Sequence, residues 1–222
     1  MMKRYISIAL LVAIPVFALL TTFAPVTATS GGFVGRAGTH FTFNGQPFYV
    51  GGTNNHYIAW ASRNEVDNVL NDAAAMHFNV VRTFASVVRG TLNSVAPLTI
   101  WNWNTAGDPS NMGMEGTYYV YWDAANSRMA YNDGSDGLQK MDYVLAKAKT
   151  LNIKVLIAFM DFWPYTGGIQ QVRAWYGDTN PADRYTFPFA DPRAKQAYKD
   201  WVQHLATHVN IYTRVAYKDD PT

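Results

Sequence analysis

Hydrophobic and polar residues alternate on both sides of Asn44-Gly45, as Phe41-Thr-Phe43 before it and Phe48-Tyr-Val50 after it. Asn-Gly between alternating runs predicts a two-residue hairpin turn, because both central positions of that turn need positive φ. The second run leads into Gly51-Gly52-Thr53-Asn54-Asn55-His56-Tyr57, so Phe48 to Gly52 is expected to form the first strand of a larger sheet, with polar side chains clustered at its end. Ser62 then stands three residues before Glu65, and apolar residues follow at Val66, Val69, Leu70, Ala73, Ala74 and Met76. That spacing predicts a capping box opening an amphipathic helix. Phe78-Asn-Val-Val-Arg82-Thr-Phe84 is rich in strand-forming residues and carries a charge near its end, which completes a strand, helix, strand unit.

From Ala85 to about Gly134 the pattern is long and irregular, with Trp101, Trp103, Tyr118, Tyr119, Tyr121, Trp122 and Tyr131 among Gly, Asn and Asp. Loops of this length are functional or disordered, and the density of aromatic residues argues against disorder. A second helix is expected from about Asp136, with Leu138, Met141, Val144, Leu145, Ala148 and Leu151 on one face. Lys154 to Met160 is a nearly continuous apolar run, the pattern of a parallel strand buried on both faces. Asp161-Phe-Trp163-Pro-Tyr165-Thr-Gly-Gly168 follows directly. Asp191-Pro192 then opens a third helix with Ala194, Ala197, Tyr198, Trp201, Val202, Leu205 and Val209 on one side. Three β/α units fit an α/β fold, either an open doubly wound sheet or a (β/α)8 barrel. No glycine-rich phosphate loop follows the first strand, and long aromatic loops follow the second and third, so the barrel is the better fit.

Composition changes the picture at three points. Residues 1–28 combine Lys3 and Arg4, an apolar run from Ile6 to Leu20 and a small-residue ending Val26-Thr27-Ala28, the pattern of a cleaved signal peptide. The expected organisation is therefore a signal peptide over 1–28 and a barrel domain over 29–222, in a protein secreted to the extracellular or periplasmic side with no membrane partner after cleavage. Without Lys3 and Arg4 the 18 basic residues fall to 16, equal to the 16 acidic ones. A neutral surface gives no counterion-release gain on a phosphate backbone, which excludes nucleic acid as the expected partner. Cys is absent, so the fold relies on its core instead of disulfides. Aromatic residues make up 15% of the chain, including seven Trp and fourteen Tyr, against only 15% charged residues, a balance suited to stacking on neutral sugar rings; packing in the core accounts for many of the rings as well.

Five motifs in order, Gly52-Thr-Asn54-Asn55-His-Tyr57, Val80-Val-Arg82-Thr-Phe84, Asp136-Gly-Leu-Gln-Lys-Met-Asp142-Tyr-Val, Trp163-Pro-Tyr-Thr-Gly-Gly168 and Tyr217-Lys-Asp-Asp-Pro-Thr222, make the chain resemble glycoside hydrolase family 5, its endo-β-1,4-mannanase branch above all. The resemblance implies a retaining (β/α)8 TIM barrel with two catalytic Glu residues about 5 Å apart, of which this chain matches about the first three β/α units after an N-terminal β-hairpin. It implies β-mannan as substrate, no cofactor, and a monomer when full length. By the same resemblance Arg82 lies at the end of the second strand and holds the nucleophile ionised, Trp163 floors a sugar subsite, and Asn54, Asn55 and Tyr57 meet sugar hydroxyls; the plainer readings are a structural salt bridge, core packing and turn-forming Asn. In similar mannanases the segment matching Lys218 to Thr222 directly precedes the strand with Asn-Glu-Pro, so both catalytic Glu residues are expected beyond residue 222, and these 222 residues are expected to be inactive and poorly soluble on their own.

The residues agree. The chain contains two Glu only: Glu65 is explained by the capping box, and Glu115 lies in the long loop without a partner. Asp161 is the best remaining acid, as a substrate contact. No catalytic residue is therefore assigned within the chain. His204 and His208 stand one helical turn apart, but the Glu of a zinc-protease motif is missing and no third ligand is evident, so no metal is expected. Two other readings stay open: a related β-glucanase or cellulase of family 5, and a noncatalytic glycan-binding protein.

Overall fold

The computed structural model describes residues 32–86, 88, 117–162, 166–178, 180, 183 and 185–222. The expected signal peptide, Trp101, Trp103, Glu115 and Trp163 lie outside them. Strands β1 (Gly35–Ala37), β2 (His40–Phe43) and β3 (Gln46–Pro47) make an antiparallel sheet in that order. Asn44 and Gly45, at φ 51 and 76, form the turn between β2 and β3.

The first strand of the parallel sheet is β4 (Gly52–Asn54), four residues later than the expected Phe48 to Gly52. The reason is backbone pairing. Phe48 N donates to Phe41 O at 2.9 Å, which keeps that residue with the hairpin, and Gly51 N donates to Asn79 Oδ1 at 2.9 Å. Parallel register begins only at Gly52 opposite Val80. A Cβ on Gly52 would stand 2.1 Å from the Val80 carbonyl oxygen, so no other residue fits this approach.

Helix α1 (Arg63–Ala75) follows through a short 3-10 turn over Tyr57–Ala59. Its capping box forms as the sequence predicts: Ser62 Oγ accepts from Glu65 N, and Glu65 Oε2 accepts from Ser62 N at 2.8 Å. Val66, Leu70 and Ala73 are buried, while Met76 is exposed because the helix has ended before it. Strand β5 (Val80–Phe84) pairs in parallel with β4 and with β8 (Lys154–Ala158), giving the order β4-β5-β8. Between β5 and β8 lie strands β6 (Val120–Asp123) and β7 (Arg128–Tyr131), then helix α2 (Leu138–Thr150).

The β6–β7 hairpin corrects the reading of 85–134 as irregular throughout. Its aromatic residues alternate between buried and half-buried, and several are core. Tyr119 is fully buried with its hydroxyl donating to the Ala59 carbonyl, Trp122 stacks on Trp175, and Tyr131 stacks on Trp201 at 5.2 Å. Helices α3 (Gly168–Trp175) and α4 (Phe187–Ala190) are too short to show a helical period in the sequence. Helix α5 (Pro192–Thr207) begins at Asp191, whose side chain accepts from Arg193 N at 2.8 Å, and buries Ala194, Ala197, Trp201 and Leu205; Tyr198 and Val209 are exposed.

The parallel sheet has two unlike faces. Side chains alternate along each strand, so the rows Thr53, Val81, Val155 and Thr83, Ile157 point one way, into the core that α1 and α2 complete. Asn54, Arg82 and Leu156 form a row on the other face, where Leu156 is 53% exposed. Strand β8 is therefore not covered on both sides by the described residues, as its apolar run suggested. A residue run cannot reveal this, because Leu156 is as apolar as its neighbours and differs only in which side it faces. On the outer edge of β8, Val155 N donates to Thr222 O at 2.8 Å and Lys154 Nζ to Pro221 O at 2.9 Å.

Candidate functional site

The polar row on the open face is built by strand register. Asn54 ends β4 directly opposite Arg82 of β5, and the Arg82 Nη1 donates to Asn54 Oδ1 at 3.5 Å. The chain beyond β4 is tied to the same strand, since Asn55 N donates to Arg82 O at 2.9 Å. Two residues further along β5 the pleat brings Phe84 to the same face as Arg82, and the guanidinium lies over its ring at 4.5 Å. His56 packs against the same ring, tilted to it, with centroids 3.8 Å apart. Burial pushes the His56 imidazole below its usual range, and the Arg82 charge adds to the effect. Tyr57 is half exposed and meets Trp60 edge-on at 5.5 Å. Among the described residues Arg82 makes no salt bridge, so its charge is held by an aromatic face and one long hydrogen bond.

Of the five residues singled out from the sequence, Asn54 and Arg82 are thus side-chain partners, and Tyr57 stands on the turn that follows them. Asn55 has a local role, since its Oδ1 accepts from Ile58 N at 3.0 Å and shapes the 3-10 turn, the ordinary use of Asn in such a segment. Trp163 lies outside the described residues. His56 and Phe84 were missed as site residues. The spacing of Arg82 and Phe84, two apart on one strand, was the available signal for Phe84; nothing in the sequence ties His56 to it. Asp161 is buried at the end of β8, beside a hollow of about 470 Å3 lined also by Met160, Phe162, Ile169, Phe189 and Tyr198.

A second polar cluster surrounds the His204, His208 pair, and its acidic members, Asp142 and Asp133, are not tied to that pair by the sequence. Asp142, fully buried on α2, accepts from Tyr217 Oη at 2.8 Å, from Ile211 N at 3.2 Å and from His208 Nε2 at 3.0 Å. On its other side His208 Nδ1 stands 3.5 Å from Asp133 Oδ1, and that oxygen is 2.7 Å from His204 Nε2. Burial lowers the His208 pKa, but the Asp142 hydrogen bond and charge outweigh it and the net shift is upward. Asp133, 71 residues away from His204 along the chain, places a carboxylate beside the two histidines that their spacing in sequence does not announce.

No protein-family profile matches the chain. Curated relatives do. Mannan endo-1,4-beta-mannosidase 3 of Arabidopsis thaliana is 28% identical over 198 residues, 88% of this chain and 41% of the relative. Mannan endo-1,4-beta-mannosidase A of Aspergillus aculeatus is 29% identical over 181 residues, 81% of this chain and 41% of the relative. Among solved structures, the endo-1,4-beta-mannanase from Rhizomucor miehei aligns with a TM-score of 0.69 at 28% identity over 86% of this chain and 46% of that one. The chain is thus similar in sequence to curated mannan endo-1,4-beta-mannosidases, and in sequence and fold to a solved endo-1,4-beta-mannanase. A glycoside hydrolase family 5 mannosidase from the same fungus, at 22% identity and a TM-score of 0.62, shares the fold. The chain spans less than half the length of the mannanases it matches, and over the aligned part the two folds agree, the parallel β4-β5-β8 sheet included among the described residues.

Proposed function

We propose that this chain forms one wall of the substrate groove of a secreted, retaining endo-β-1,4-mannanase. The observation that carries the reading is the Asn54–Arg82 pair, formed where β4 ends beside the middle of β5, in a chain similar to mannanases. Active sites of β/α barrels lie where strands end, because the loops there converge. A guanidinium without an acidic partner among the described residues offers charge-assisted hydrogen bonds to a carboxylate brought opposite it, which would keep that group ionised as a nucleophile. Asn54 orients the guanidinium, Phe84 supports it from behind, and half-exposed Tyr57, with Trp163, offers ring faces and a hydroxyl to a pyranose.

The two catalytic carboxylates are proposed to lie outside these 222 residues. Glu65 is held by the Ser62 cap at the start of α1, away from the open face of the sheet. The chain alone should then bind manno-oligosaccharides weakly and hydrolyse nothing. The test is an assay of the 222-residue protein and of its longest open reading frame on soluble mannan, glucomannan and cellulose. Hydrolysis of mannan by the longer protein alone is expected. Turnover by the 222 residues, or a preference of the longer protein for cellulose, would overturn the reading.

A further inference from the structure

The cluster of Asp133, His204 and His208 lies apart from the Asn54–Arg82 row and is not used by the proposed chemistry. Its three ligand atoms, one from each residue, lie within 4.8 Å of one another. Nitrogen and oxygen ligands about 2.0–2.2 Å from a tetrahedral cation stand about 3.3 Å apart, so Asp133 Oδ1 and His208 Nδ1, at 3.5 Å, already have the separation a shared ion needs. His204 Nε2 sits 2.7 Å from the same oxygen, and a small opening of that hydrogen bond admits the ion.

The surroundings prepare His208 for this role. A carboxylate can only accept, so Asp142 keeps the proton of the neutral imidazole on His208 Nε2, and Nδ1, which faces Asp133, is the nitrogen that an ion would take in exchange for a proton. A histidine ligand whose second nitrogen donates to a carboxylate is the usual second-layer arrangement of metal sites. Asp142 is itself held by Tyr217 Oη and Ile211 N, which makes the support rigid. His204 is held flat against Tyr131 at 4.3 Å. Asp133 is 52% exposed, so the ion would have a route in from solvent and a position left for water.

We propose that Asp133, His204 and His208 bind one borderline divalent transition cation, Zn2+ being the best match to two imidazoles and a carboxylate. The ion joins the end of α5 to the segment between β7 and α2, and through His208 and Asp142 to α2 itself. It acts as a staple in a protein that has no disulfides, and stabilises the native state by mass action.

The experiment uses the protein of the longest open reading frame without residues 1–28, stripped with a chelator and titrated with ZnCl2 by calorimetry at neutral pH, with thermal unfolding followed in parallel. The expected result is uptake of one Zn2+ per chain with a rise in Tm. Asp133→Asn and His204→Ala should each weaken uptake by at least about tenfold and remove the Tm rise, whereas His40→Ala, on exposed β2, should change neither. His208 is left in place because it also anchors Asp142. As a measurement that needs no variant, Co2+ bound to the wild-type chain should show the strong visible bands of a four-coordinate site. Absence of saturable Zn2+ uptake, uptake that survives both substitutions, or Co2+ spectra of hexaaqua intensity would each overturn the proposal.

Discussion

Asn54 and Arg82, 28 residues apart, are register partners on adjacent parallel strands, and their side chains meet at 3.5 Å on the open face of the sheet. That contact is made by backbone pairing alone: Gly52 allows β4 to approach Val80, and the register that follows brings the two polar residues level. Because Arg82 has no salt-bridge partner among the described residues, its contribution should appear in catalysis and hardly in stability.

On the mannanase function proposed above, replacing Arg82 by Ala in the longer protein is expected to lower kcat by about 10²–10³-fold, the cost of removing one preorganised donor from the reacting charge. The Tm should move by no more than a few degrees. Lys at the same place should recover little, since it cannot both lie over Phe84 and present a planar fork. Steady-state kinetics beside calorimetry checks this; a large Tm loss with unchanged kcat would show a structural role instead.

His56 should titrate below the ordinary imidazole range in an NMR pH series, because burial and the Arg82 charge both disfavour its cation. Its folded-state pKa is depressed, so the unfolded chain binds the proton more readily. Stability from this residue is fully present above about pH 6.5 and falls as pH drops from there toward the folded-state pKa. Arg82→Gln removes the lesser cause and should raise the midpoint part of the way back.

Ser62→Ala should cost about 1 kcal/mol in urea unfolding by removing the cap of α1, with the denaturant slope unchanged. Glu65→Gln should cost less, and should leave mannan hydrolysis by the longer protein intact. Loss of activity in that variant would return Glu65 to consideration as a catalytic acid.

Asp142→Ala should destabilise the domain by about 3–5 kcal/mol, since it leaves Tyr217 Oη, His208 Nε2 and Ile211 N without their shared acceptor in a buried position. Asp142→Asn keeps the shape and one acceptor and should lose about half as much. Chemical denaturation of the two variants distinguishes them.

Much of this was legible in the sequence because it depends on local spacing. Ser62 and Glu65 announce their capping box within four residues, and the buried positions of α2 and α5 follow a helical period that can be counted along the chain. The Arg82 strand and its βαβ setting are equally local. The start of the first parallel strand was misplaced because backbone pairing competes there: Phe48 belongs to the hairpin, Phe41 accepting its N–H. Core packing was expected for many rings, but that Tyr119, Trp122 and Tyr131 are among those that pack depends on Ala59, Trp175 and Trp201 coming to meet them.

The chain's own order of apolar and polar residues determined the β/α succession, the helix that begins at Ser62 and the likeness to mannanases, since each of these is a property of neighbours in sequence. Tertiary structure alone decided which side of β8 is covered, that Arg82 leans on Phe84 and Asn54 instead of an acid, and that Asp133 joins His204 and His208. Those outcomes depend on strand register and helix docking, which bring Asn54 to Arg82 across 28 positions and Asp133 to His204 across 71, and no local pattern encodes a distance of that kind.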